Sequence, residues 1–427
     1  LLCSPEELGY LVKSAMTLHL LENVLQPYAW GSRDALTDLL GVPNPMDEPQ
    51  AELWMGAHPK GSSRLVGEDA SLLERIGAEP ARYLGADVAA RFGGHLPYLF
   101  KVLAADRPLS LQAHPSREQA RQGYAREQEA GLAVDDPRRN YHDDNHKPEL
   151  LCALTRFWAL CGFRDPAETL RLVRALGLDE STGPLVALRD ANGADCLART
   201  FRALFEIPVE ERRSAIFDLV RGAQAVLQRT PREIASPDDS QVYWAARWTL
   251  RLADLYPEDP GVIAALLLNI VELSPGESIY LPARELHAYL GGVGLEIMAS
   301  SDNVLRGGLT SKRVDLAELM RVLSFEPRAP RISSGQETEW AGGREIVYPT
   351  PASEFCLSRI ELTERGTSSG GCGPEILLCL EGRPEVRRDG ERLALERGSS
   401  VFCEASDVPF EILGPGRLAR ARVGEAP

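Results

Sequence analysis

Gly276-Glu-Ser-Ile-Tyr-Leu-Pro282-Ala-Arg-Glu-Leu-His287 sets a glycine, a proline and a histidine at fixed intervals within short apolar runs. Ser274-Pro-Gly-Glu277 at its start reads as a turn, and Gly291-Gly-Val-Gly294 beyond it as another. Short apolar segments between such turns have the texture of strands. Ile376–Leu380, Ser400–Cys403 and Phe410–Leu413 repeat it downstream, with turns at Asp389-Gly390 and Gly414-Pro-Gly416. Many short strands at this spacing predict a sandwich or jelly roll. Upstream, residues 17–110 carry apolar runs such as Leu96–Leu103 broken by Gly, Pro, Asn and Asp, which reads as strands and loops. The polar segment Ser116–Glu129 reads as a surface helix.

Between these stretches the texture changes. Asp165-Pro-Ala-Glu168 is a helix start, with Asp at the N-cap, Pro at the first position and Glu at the third. Helical periodicity recurs in Arg212–Leu227 and Gln241–Leu255, and Pro257-Glu-Asp-Pro-Gly261 breaks it. A last apolar helix from Val262 passes into a strand. The predicted fold is mainly β with a helical insert. Residues 16–155 and 263–330 form one β domain in two segments, 156–262 the insert, and 331–427 a second β domain. Residues 1–15 are read as an extension upstream of the usual start, because Met16 opens a stretch that reads as a natural beginning.

The chain has 427 residues, with 62 acidic and 47 basic side chains and a net charge of −15. That balance offers no footprint for a nucleic-acid backbone or an anionic membrane, and no basic helix-turn-helix is evident. A hydrophobic content of 44% argues against disorder. No apolar run reaches the roughly 18 residues of a membrane span. The N-terminus lacks the basic and apolar regions of a signal peptide. Eight cysteines form no CxxC pair and read as thiols of a reduced compartment, so a cytoplasmic location is expected. A monomer is expected too. Only 5 of the 47 basic residues are lysine: Lys13, Lys60, Lys101, Lys147 and Lys312.

None of the seven histidines lies beyond 287, so the second β domain is expected to lack a His-based metal site. In Ser110-Leu-Gln112-Ala-His114-Pro115, Gln112 and His114 face one way if the segment is a strand. The plainer reading is a satisfied core histidine beside a solvated Gln. In Asn145-His-Lys147-Pro148-Glu149, Pro148 biases Lys147 toward extended backbone, so Lys147 and Glu149 share a face. A polar loop with a strand-edge Glu is equally plain. The spacing of Gly276, Pro282 and His287 resembles the second metal-bearing strand pair of cupin barrels. Arg284 stands where a Gly is usual, and Gly291 where an Asn is usual. Gln112, His114, Glu149 and His287 offer N and O ligands that suit zinc, but also iron, manganese, cobalt or nickel. A single carboxylate leaves a divalent ion net positive, which favours an electrophilic role on an oxygen-bearing substrate. Further on, Glu296 sits on an expected strand, Asp302-Asn303 open a turn, and two glycines follow Arg306. A salt-bridged loop is the ordinary reading of that block.

Six or more ordered blocks of the chain resemble type I mannose-6-phosphate isomerases. They include Gln26-Pro-Tyr-Ala-Trp30-Gly31, Ala51-Glu-Leu-Trp54-Met-Gly-Ala-His58-Pro, Pro97-Tyr-Leu-Phe-Lys101 and Ser110-Leu-Gln-Ala-His114-Pro. Asp144-Asn-His-Lys-Pro-Glu149, Leu281-Pro-Ala-Arg-Glu-Leu-His287 and Ser301-Asp-Asn-Val-Leu-Arg306-Gly-Gly308 continue the series. The resemblance implies a cupin-type jelly-roll catalytic domain, an inserted helical domain and a C-terminal jelly roll. It implies an isomerase with one zinc per chain that interconverts mannose 6-phosphate and fructose 6-phosphate. Such an enzyme supplies mannose donors or feeds mannose to glycolysis. Gln112, His114, Glu149 and His287 match the zinc ligands, and Arg306 the catalytic arginine. Lys101, Ser110, Lys147, Glu296, Asp302 and Lys312 match pocket positions, and Trp30 joins the substrate-binding set.

Isomerisation through a cis-enediol needs a base near C2, an electrophile and a phosphate anchor. Lys147 in its neutral form, or Glu296, is the candidate base. Arg306 with Lys147 is placed at the chemistry, and Lys101 with Ser110 nearer the phosphate. The rival readings are another metal-dependent cupin enzyme, such as an iron dioxygenase or an epimerase, and a non-catalytic sugar-phosphate-binding regulator.

Overall fold

The computed structural model describes residues 16–425 apart from 180, 182, 191–192 and 230–236. The expected extension at residues 1–15 lies outside the described residues.

The 13-residue strand His287–Ala299 is the spine of the first sheet. Its second half pairs antiparallel with Tyr98–Ala105, setting Glu296 opposite Lys101, and with Glu149–Ala153, setting Met298 opposite Glu149. Its first half pairs with Phe157–Phe163, and His287 lies opposite Gln112. Gln112 in turn lies opposite Arg306 on the two-residue strand Leu305–Arg306. A strand that exchanges partners midway curls the sheet toward a barrel. The exchange occurs at Gly291–Gly294, which is therefore not the expected turn. Gly292 has a φ of 121°, and a Cβ there would meet the Arg156 carbonyl at 2.6 Å. The glycines permit a close backbone approach within a strand rather than a reversal.

Period-two alternation divides the work of these strands. Tyr98, Phe100, Val102, Leu150, Cys152, Leu295 and Ile297 face outward and share a core with Tyr348, Phe355, Leu357, Ile376 and Phe402 of the C-terminal domain. Each large side chain buried this way contributes about 1.5–3 kcal/mol. The intervening residues Lys101, Glu149, Glu296 and Met298 face inward and line one cavity. Segments that read as plain apolar runs thus carry charged groups on the face turned away from the second domain.

The C-terminal domain packs an eight-stranded sheet on a four-stranded one. Ile360, Leu377, Val401, Phe410, Ile412 and Leu418 fill the space between them. Leu18–Glu22, expected in the first β domain, pairs with Ser400–Cys403 and so lies in this sheet, its Leu18 buried in that core. Conversely, Ile332–Ser333 pairs with Ser278–Ile279 of the first sheet. Chain position alone does not reveal such exchanges. The architecture is the expected mainly β one, with jelly-roll domains and a helical insert.

The helical texture begins later than expected. Phe157–Phe163 is a strand, and helices follow at Pro166–Ala175, Gly193–Glu206, Val209–Arg229 and Pro237–Leu255. A short continuous apolar run cannot be told from buried helix by periodicity. Asp165 caps the first helix through the Ala167 N–H, as its sequence predicted. Leu172, Leu197, Phe201 and Leu219 of the insert pack on Leu111, Ala113, Leu160 and Leu305 of the barrel. The region read as strands and loops before residue 110 also holds short helices at Ala35–Leu40, Leu72–Ala78, Pro80–Leu84 and Ala86–Arg91. The missed signals were the Ser71/Glu74 capping box and Pro80 at a helix start. Among the described residues no helix is long and apolar enough to cross a membrane, and seven cysteines are free thiols.

Arg284 has a φ of 72°, which explains why glycine suits that position in cupin-like strand pairs. Its N–H donates to the His114 carbonyl at 2.7 Å and its carbonyl accepts from Ser324 at 2.9 Å, so the left-handed backbone is fixed from both sides. A non-glycine residue in this conformation costs about 1–2 kcal/mol. Arg284→Gly is therefore expected to be more stable than Arg284→Ala by about 1 kcal/mol, read as a higher melting temperature. Equal melting temperatures would contradict the strain.

Candidate metal centre and its cavity

His114 follows the short strand Gln112–Ala113, Glu149 opens Glu149–Ala153, and His287 opens the long strand. All three are at most 2% exposed. His114 Nδ1 lies 2.7 Å from the Asn303 carbonyl and His287 Nδ1 lies 3.0 Å from the Glu285 carbonyl. A carbonyl only accepts, so both Nδ1 atoms carry the proton and both Nε2 atoms present lone pairs. Those lone pairs face Glu149: His114 Nε2 is 3.3 Å from Oε1 and His287 Nε2 is 3.4 Å from Oε2. Both Nε2 atoms and Glu149 Oε2 are buried without a hydrogen-bond partner. Burial lowers the His114 pKa to about 4, against the pull of Glu149, so the imidazole is neutral. Burial opposes the charge on Glu149, yet the Lys147 ammonium beside it holds its pKa well below the usual carboxylate range.

Three acceptors with no donor among them, all within 4.8 Å, form a cation site. Gln112, opposite His287, lines the cavity alongside. Two imidazoles, a carboxylate and an amide oxygen fit a divalent ion that accepts N and O ligands. Among the described residues this is the sole such group.

The cavity beside it is about 670 Å³ and collects the remaining sequence candidates: Trp30, Lys101, Ser110, Lys147, Glu296, Asp302, Arg306 and Lys312. Lys147 Nζ is 2.8 Å from Glu149 Oε1, so the two share a face as expected. His146 points elsewhere, to Glu354. Lys101 pairs with Glu296 at 3.0 Å and Glu52 at 3.6 Å. Burial opposes its charge, but those carboxylates raise its pKa above the ordinary lysine value. Lys101 is therefore engaged with two buried acids. Glu296 accepts from Lys101 through one oxygen and from the Tyr289 hydroxyl at 2.9 Å through the other. Burial raises its pKa in spite of Lys101.

Arg306 and Lys312 are different. Among the described residues neither is paired with an acid or hydrogen-bonded through its side chain. Burial lowers the pKa of Arg306. The charge of Arg306 first, and burial second, lower that of Lys312. Two unneutralised cations at one side of a cavity make an anion subsite.

Residues not singled out from sequence complete the walls. Asp302 pairs with Lys60 at 3.0 Å and approaches His58 Nε2 at 3.6 Å. Burial pushes the His58 pKa to about 4. Glu52 accepts from Trp54 Nε1 at 2.6 Å and braces Lys101. His58, Lys60 and Glu52 lie in or beside a resembling block, but no spacing linked them to Asp302 or Lys101. The scarcity of lysine was a usable signal: all four described lysines line this cavity.

Adding a divalent transition ion to metal-free protein is expected to stabilise it by about 2.7 kcal/mol at a hundredfold excess over Kd, read as a rise in melting temperature. His114→Ala and Glu149→Gln should lose most of that rise. An undiminished rise in both variants would place the ion elsewhere.

Comparison with known proteins agrees with this geometry. Residues 18–166 match the type I phosphomannose isomerase catalytic domain, and residues 344–423 match the mannose-6-phosphate isomerase cupin domain. The mannose-6-phosphate isomerase of Salmonella typhimurium is 41% identical over 406 residues, covering 94% of this chain and 98% of the relative. The Escherichia coli enzyme of the same name gives the same identity and coverage. A crystal structure of the Salmonella typhimurium enzyme, bound to its substrate fructose 6-phosphate and a zinc atom, superposes with a TM-score of 0.83 at 38% identity. That match covers 96% of this chain and 100% of the other. The chain belongs to the type I mannose-6-phosphate isomerase family.

Proposed function

We propose that this chain is a zinc-dependent aldose–ketose isomerase that interconverts mannose 6-phosphate and fructose 6-phosphate through a cis-enediol. The observation that carries the reading is one cavity that meets the buried N/O donor set at Gln112 and Glu149 and is lined by cations, Arg306 and Lys312 among them, that have no acid partner among the described residues. A volume of about 670 Å³ is in the range of small-molecule sites. The relatives named above are mannose-6-phosphate isomerases, and one is bound to zinc and fructose 6-phosphate. Gln112, His114, Glu149 and His287 would hold the zinc. Bound there, zinc supplies a Lewis acid for the sugar oxygens.

The protein's own groups divide the remaining tasks. Lys312 and Ser110 hold the phosphate at one side of the cavity, with a point charge and a hydroxyl. Arg306 lies opposite Gln112 in the strand register, on the side of the cavity next to the donor set. From there its guanidinium stabilises negative charge on the enediolate oxygens. Both oxygens of Glu296 are occupied by Lys101 and Tyr289, so Glu296 sets the charge of the cavity floor rather than meeting C2. Among the described residues Lys147 has only Glu149 as an ionic partner, and in neutral form it moves the proton between C2 and C1. Trp30 and Asp302, the latter braced by Lys60 and His58, wall the sugar. One chain supplies every group, which suits a monomer, and the free cysteines suit a cytoplasmic enzyme.

A coupled assay on mannose 6-phosphate is expected to show turnover that a chelator abolishes and zinc restores. Folded, zinc-loaded protein with no turnover would contradict the function and favour the regulator. Lys147→Ala is expected to lower kcat by about 10²–10⁴-fold with zinc content unchanged. Lys312→Ala should raise KM with little change in kcat, whereas Arg306→Ala should lower kcat. A change in KM alone for Arg306→Ala would make it a second anchor.

A further inference from the structure

Glu354 lies between the strands Gly343–Tyr348 and Cys356–Leu362 of the C-terminal domain, yet its carboxylate ends among residues of the first domain. The residue is 2% exposed. Oε1 lies 2.8 Å from His146 Nε2 and forms a close ion pair with Arg117 Nη2. Arg117 Nη2 and His146 Nε2 are 2.8 Å apart because they converge on that one oxygen. The Ser353 hydroxyl donates to Oε2 at 3.3 Å. Burial opposes the charge on Glu354, but His146 and Arg117 outweigh it and hold the carboxyl at about 2.

The two partners have significant places in the chain. Arg117 stands three residues after His114, across Pro115 and the helix cap Ser116. His146 stands three residues before Glu149, across Lys147 and Pro148. A proline in each connection fixes one φ and shortens the slack between anchor and ligand. Asn303 joins the same two segments from within the first domain, taking His114 Nδ1 on its carbonyl and the His142 N–H on its side chain at 2.7 Å. Glu354 provides the corresponding tie from the second domain.

We propose that Glu354 is a positioning residue through which the C-terminal domain sets the spacing of His114 and Glu149, and hence the metal affinity of a site it does not itself contain. The proposal rests on the reading of that site as a zinc site. A domain with no donor set among its described residues thereby contributes to metal binding at a distance.

Zinc dissociation constants, measured by chelator competition on the full-length protein, test it. Glu354→Ala is expected to weaken zinc by about 10–100-fold, in line with losses of groups that orient metal ligands. Glu354→Gln, which keeps an acceptor but no charge, should lose less. Should Glu354→Ala fail to fold, Arg117→Ala and His146→Ala remove the same tie from the other side and should also weaken zinc. Arg82→Ala breaks a different interdomain pair, with Glu404 at 3.3 Å, and should leave zinc affinity unchanged. Unchanged affinity in folded Glu354→Ala, or an equal loss in Arg82→Ala, overturns the positioning role while leaving the zinc site standing. A wild-type chain that takes up no zinc overturns both.

Discussion

Two imidazole lone pairs turned toward a buried carboxylate repel it, and only a positive charge among them makes the arrangement stable. The repulsion is built in, because the Asn303 and Glu285 carbonyls hold the Nδ1 protons and leave no donor facing Glu149. Lys147 supplies part of the missing charge from one side, at 2.8 Å from Glu149 Oε1. A divalent ion held by these donors would supply the rest. Tautomer control by a backbone carbonyl is a common device around metal-bound histidines. Here it occurs twice, on strands brought together by a register that also sets Gln112 opposite His287.

That register depends on strands buried on both faces. The outward residues of Tyr98–Ala105, Glu149–Ala153 and His287–Ala299 seal against the C-terminal domain. With that face dry and apolar, the inward face can carry acids and a lysine at fixed positions. Lys101 between Glu52 and Glu296 shows the cost of doing so: each buried charge needs a partner, and the partners form a connected floor. Arg306 and Lys312 have no acid partner among the described residues, which leaves their charge open to an anion in the cavity. A chain of net charge −15 thus gathers all four of its described lysines around one cavity and leaves Lys312, beside Arg306, without an acid partner among the described residues.

Much of this was legible in the sequence for identifiable reasons. Metal-site spacing survives as sequence because the expected ligands sit at or next to strand ends, two of them beside a proline. Pro115 and Pro148 flank two of the four expected ligand positions, and Gly276 and Pro282 precede His287 at a fixed spacing. The sharing of a face by Lys147 and Glu149 followed from Pro148 alone. What could not be read depends on long-range pairing. Nothing local to Leu18–Glu22 says that it joins Ser400–Cys403. Nothing local to Lys101 says that two acids already claim it. The Gly291–Gly294 run reads as a turn because glycine marks turns and close approaches alike, and only the neighbouring strand shows which applies.

The most direct check is an anomalous difference map at the zinc absorption edge, from crystals of the protein purified without chelator and supplied with one equivalent of zinc. A single peak is expected between His114 Nε2, His287 Nε2 and the Glu149 carboxylate. A peak elsewhere, or none at this position while the solution stoichiometry is one, would contradict the cation at the centre of the fold.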